Sequence, residues 1–122
     1  MKDEGVRADL IARTRTYALS IIRLFGSLPK RPEAQVLGKQ LLRSGTAVGA
    51  HYREAKRAKS DADFVSKVEG LLQELEESSN WLELLQESEM VPAERIAPLL
   101  DETHQLTAIF VTIVKKIKFK RG

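Results

Sequence analysis

Four long stretches of the chain place an apolar or small residue every three or four positions, and no stretch alternates in the two-residue period of a strand. Steps of three and four return side chains to one face of an α-helix, which turns once in about 3.6 residues. The first stretch, about 6–28, carries Leu10, Thr14, Tyr17, Ile21, Leu24 and Leu28. The second, about 32–58, carries Leu37, Leu41, Ser44, Val48, Tyr52 and Ala55. The third, about 61–88, carries Phe64, Val68, Leu71, Leu75 and Leu82. The fourth, about 93–118, runs Ile96, Leu99, Thr103, Leu106, Phe110, Ile113 and Ile117, a three-four repeat that matches the seam of a left-handed bundle.

The punctuation between these stretches is short. Pro32 suits a first helical position, where its missing N–H costs nothing. Ser60 suits an N-cap, with Asp61 and Asp63 placed to favour the dipole of the first turn. Pro98 either kinks the fourth helix or follows a turn that precedes it. Four helices with short connections predict an all-α, up-down-up-down, left-handed four-helix bundle, and 122 residues predict one domain over 1–122. The chain has no cysteine, which excludes disulfides, thiolate catalysis and cysteine-bound zinc. Its uncharged runs are shorter than the roughly 20 apolar residues of a membrane span. Its first ten residues mix in acids where a signal peptide is basic and then apolar. A cytoplasmic protein without a membrane partner is expected.

Some helical surface is left over once each core stripe is assigned. Gly38, Leu42, Gly45 and Gly49 lie about a quarter turn from the stripe of the second helix. An interior glycine costs a helix about 1 kcal/mol relative to alanine, so close approach by another backbone must offset it. That backbone belongs either to the same bundle or to a second subunit. Lys67, Gly70, Glu74, Glu77 and Trp81 make a comparable line on the third helix, and Trp81 serves either the core or an interface. The fourth helix is uncharged from Gln105 to Val114 on every side, a pattern expected of a helix buried all round. Together these faces predict self-association.

Charge is unevenly spread. Residues 61–89 hold nine acids and one base, a net of −8, in a chain whose total is +3. Arg43 shares the second helix with Ala47, Ala50 and Glu54 on one line, and is expected to meet Glu74 or Glu77 within or between subunits. Two basic clusters stand elsewhere: Arg53, Lys56, Arg57 and Lys59 at the end of the second helix, and Lys115, Lys116, Lys118, Lys120 and Arg121 at the C-terminus. Cations near helix C-termini favour the dipole; repeated around an oligomer they also make a multivalent grip on a polyanion.

The segment from Gln40 to Leu85 carries "LLRSGTAVGA", "REA", "ADF", Lys67 with Glu69, and Glu74, Glu77 and Trp81 to Leu85 at fixed spacing. In these residues the chain resembles the four-helix-bundle proteins encoded by intervening sequences of bacterial large-subunit ribosomal RNA genes. The resemblance implies a homopentameric ring with a central channel. It also implies kinship with the accessory proteins of diversity-generating retroelements, which bind nucleic acid and a reverse transcriptase. His51 stands where the family usually has asparagine.

Catalytic signals are weak. A bundle di-iron site wants two Glu-x-x-His pairs facing inward; here Asp101 and His104 have the spacing with a shorter acid, and His51 and Glu54 run in reverse. No base, phosphate loop or nucleophile accompanies Glu74 and Glu77. The sequence therefore predicts a non-enzymatic protein with no metal or cofactor. The expected role is RNA or DNA binding through basic surface, related to ribosomal RNA or the ribosome. The alternative is an accessory module that recruits a protein, such as a reverse transcriptase, without reading nucleic acid itself.

Overall fold

A computed structural model describes the backbone of residues 2–121 and the side chains of residues 9–120. The described residues form four helices: α1 (Lys2–Gly26), α2 (Pro32–Lys56), α3 (Asp61–Glu87) and α4 (Ala93–Arg121). Consecutive helices pack against each other and α4 returns to α1, an up-down-up-down four-helix bundle. The α2–α3 pair makes the most extensive contact and the α1–α4 pair the least. One end of the bundle therefore holds the 57–60 connection and the C-terminus of α4. The 27–31 and 88–92 connections lie at the other.

Most of the periodic stripes become the core, but Leu37, Ile113 and Ile117 are half-buried, while Ala34, Gly38 and Val114 are buried beside them. Leu10, Tyr17, Ile21, Leu41, Val48, Tyr52, Leu71, Leu75, Leu82, Ile96, Leu106 and Phe110 are all essentially inaccessible. Burying a side chain of this kind stabilises by about 1.5–3 kcal/mol, so the stripe dominates the energetics. Tyr52 and Phe110 meet across the core edge to face, with ring centroids 5.3 Å apart and planes at 61°. The few polar groups inside are matched. Thr103 Oγ1 donates to the Leu99 carbonyl at 2.6 Å, so its 2.6 Å contact with the Tyr17 hydroxyl is one that Tyr17 donates. Burial pushes the Tyr17 phenol above its ordinary range. Ser44 and Ser78 share a 2.8 Å hydrogen bond between α2 and α3.

Helix ends follow local chemistry. Ser60 accepts from the Asp63 N–H at 3.1 Å, and the Asp63 carboxylate reaches back to the Lys59 N–H at 3.3 Å, closing the start of α3. Pro32 opens α2 behind Arg31. A hydrogen bond to its own backbone N–H, followed by Arg31, lowers the Glu33 carboxyl below the usual range. Several expected ends shift: α1 begins at Lys2 rather than 6, and α3 stops at Glu87 rather than 88. α1 stops at Gly26 rather than 28 and α2 at Lys56 rather than 58, because Ser27, Leu28, Arg57 and Ala58 donate three residues back instead of four. α4 runs through Pro98 from Ala93, three residues past the expected 118.

The two tracts of spare surface differ: one is filled within the chain and the other stays open in it. Added side chains at Gly45 and Gly49 would meet Ile21 and Thr14 of α1, so the glycine face of α2 is filled within the chain and is not open to a second subunit. Within one chain α4 is not covered all round, so the surface expected to be covered by copies is still open there: Ala108 and Thr112 are exposed, and Ile109, Val111 and Ile113 half-buried. The physical reason is that α4 packs along α3 but touches α1 over little of its length.

Candidate nucleic-acid interface and ionic face

α2 and α4 run parallel, so their C-termini finish at the same end of the bundle. This brings together two basic clusters that are far apart in sequence. Arg53, Lys56, Arg57 and Lys59 come from α2 and its exit; Lys115, Lys116, Lys118 and Lys120 come from α4; all eight are exposed. The side chain of Arg121 lies outside the described residues. Lys56, Lys59, Lys116 and Lys120 surround one recess of about 470 Å³, based on the buried Phe64 and half-buried Ile117. Asp61 is the acid on its lining. Lys118 alone of the eight is ion-paired among the described residues, to Glu69 at 3.1 Å. The end is thus a concentration of cations with little internal neutralisation, and it holds these cations at helix C-termini where the backbone carbonyls favour them.

The second constellation lies along the α2–α3 seam. Arg43 donates through Nη1 to both oxygens of Glu74, at 3.2 and 3.4 Å, and through Nη2 to Glu77. His51 adds a link absent from the sequence reading. Its Nε2 lies 3.4 Å from Glu74 and its Nδ1 3.6 Å from Glu54. The His51 ring lies over Gly70 of α3, where an added Cβ would stand 3.9 Å from it in ordinary contact. Glu74 is only 14% exposed and lies between the Arg43 guanidinium and the His51 ring, whereas Arg43 and Glu77 are about half exposed. Pairs of this exposure contribute about 0–1 kcal/mol each; the network fixes the register of α2 on α3 more than it stabilises the fold. Trp81 packs half-buried against the core, its indole N–H buried without an acceptor among the described residues.

Glu54 and Glu74 sit on opposite nitrogens of His51, so they cannot converge on one metal ion. Asp101 and His104 are exposed, with Asp101 accepting from Gln105 at 2.7 Å and His104 Nε2 3.5 Å from Ser79 Oγ. Among the described residues, no three acidic or histidine side chains gather as metal ligands do. No described helix is long and apolar enough to cross a membrane.

Two further features escaped the sequence reading. Arg13 clamps α1 to α4 through two 2.8 Å bonds to Glu102 and a third to Gln105, and the bonding to Glu102 raises its pKa further. Beside this clamp, where α1 and α4 diverge, lies a groove of about 400 Å³ lined by Arg23, Arg95, Leu24 and Leu99. No periodicity announces either, since both depend on which helices become neighbours.

Comparison with known proteins agrees with this geometry. The sequence pattern of the 23S rRNA-intervening sequence protein family matches residues 7–112. A crystal structure of a protein of unknown function from the S23 ribosomal protein family of Bacteroides thetaiotaomicron is similar, with a TM-score of 0.81 at 33% identity over 86% of this chain and 97% of that one. Among curated proteins nothing matches. Matched over most of its length and sharing its fold with a solved S23-family structure, the chain belongs to the 23S rRNA-intervening sequence protein family.

Proposed function

We propose that this protein binds RNA or DNA without catalysing a reaction, gripping the phosphate backbone with the basic end of the bundle. The observation that carries this reading is the convergence of the α2 and α4 clusters around one recess. Cations aimed at phosphates release condensed counterions, so affinity falls steeply with salt and depends little on sequence. The family name connects the protein with ribosomal RNA, which makes structured rRNA the first target to try.

Copies of the chain associate in this proposal, as a pentameric ring of the kind the family resemblance implies. Exposed apolar residues support association: Leu19 and Ile22 on α1, Val36 on α2 and Leu84 on α3 are 40–61% exposed. A ring presents the basic end several times over, so a weak single contact becomes a strong multivalent one.

The test is a titration of labelled structured RNA across a salt series, with wild type and a K56A/K59A/K116A/K120A variant. Wild type is expected to lose affinity steeply with salt; the variant is expected to bind at least tenfold more weakly, with a salt slope shallower by up to about 0.9 per lysine removed. Equal affinity and slope in the two proteins would sink the reading.

A second reading, recruitment of a nucleic-acid enzyme such as a reverse transcriptase, draws on Glu76, Glu83 and Glu87. These are exposed and form no ion pair among the described residues. A defined protein that co-purifies with wild type but not with an E76Q/E83Q/E87Q variant would favour it.

A further inference from the structure

α4 continues past residue 112, where the family match ends, to Arg121. Every lysine of the C-terminal cluster lies in that extension, and so does Phe119. Phe119 is 89% exposed, far more than any other large apolar side chain among the described residues, and it adds nothing to the core. Its helical neighbours one turn back are Lys115 and Lys116, four and three residues before it, and Thr112 lies a further turn down the same face. Lys118 and Lys120 adjoin it in sequence. The chain thus holds an aromatic ring in water with cations on several sides.

We infer that Phe119 is a stacking platform for an unpaired base, so that the basic end holds single-stranded nucleic acid in preference to a duplex. This rests on the proposed polyanion role of that end. A base inside a duplex has both faces covered by its neighbours, whereas an unpaired base offers a free face that stacks on an aromatic ring while lysines take the adjoining phosphates. An anionic membrane is the competing flat polyanion. Insertion there requires an apolar stripe, and the helix positions around Phe119 are lysine and threonine.

Fluorescence anisotropy with an RNA of about 12 nucleotides, single-stranded or annealed to its complement, tests the inference. F119A is expected to weaken single-strand binding about tenfold and leave duplex binding unchanged. F119W should restore single-strand binding and F119L should not, because tryptophan stacks and leucine only fills space. Helix content and thermal midpoint should be unaltered in all three, since the ring touches no core residue. Equal loss on both RNAs, no loss on either, or a loss confined to phosphatidylserine vesicles would each overturn it. If wild type binds neither RNA at low salt, the basic-end reading itself fails. If it binds both equally and F119A changes nothing, only the stacking inference falls.

Discussion

A methyl group added to Gly45 would stand 2.9 Å from Ile21 Cγ1, and Ile21 is completely buried. A β-branched side chain fixed in a packed core has nowhere to move, so alanine at position 45 overpacks the α1–α2 contact. Overpacking costs about 1–3 kcal/mol, against the roughly 1 kcal/mol that alanine returns in helix propensity. Gly49 differs: its added Cβ would lie 3.3 Å from Thr14 Oγ1 and 3.8 Å from the Thr14 carbonyl oxygen, a tight contact that a shift of a few tenths of an ångström relieves. Urea unfolding is therefore expected to show G45A about 1 kcal/mol less stable than wild type and G49A within about 0.5 kcal/mol of it. G49A costing more than G45A would contradict this account of the two glycines. Spacing alone shows that something comes close to this face; only the structure identifies it as α1.

At the level of the helix, the core stripes of α1 and α3, and that of α2 apart from the half-buried Leu37, are legible in the sequence because burial and helical period coincide there. The burial of α4 is less legible. Its apolar span from Leu106 to Val114 is uncharged on every side, yet only Leu106, Phe110 and Val114 are buried. Val114, rather than Ile113, continues the inward face, since a regular helix drifts off a strict three-four repeat. Hydropathy states what a face could bury, not which neighbour covers it, and α1 leaves much of α4 uncovered. The site was legible in parts. Arg43 with Glu74 and Glu77 follows from matching lines on two adjacent helices. His51 between two carboxylates does not, because its partner on α3 depends on the register of α2, which the Ser44–Ser78 bond helps to set. The meeting of the two basic clusters follows from topology alone, since the second and fourth helices of an up-down bundle point the same way. The recess between them needs the side chains.

Considered whole, the molecule separates its charges. The outer side of α3 is acidic, while one end gathers eight exposed cations from two helices. Association of copies would multiply that end without altering any single contact. Sedimentation at several concentrations should give a particle of about five times 13.7 kDa; a species of 13.7 kDa at every concentration would remove the multivalent part of the proposal. The claim on which everything else depends is where the polyanion sits. Ultraviolet crosslinking of a bound single-stranded RNA, followed by mass spectrometry of the linked peptides, reads that location directly. Crosslinks concentrated in residues 53–60 and 115–121 are the expected result; crosslinks along α3, or spread evenly over the bundle, would contradict it.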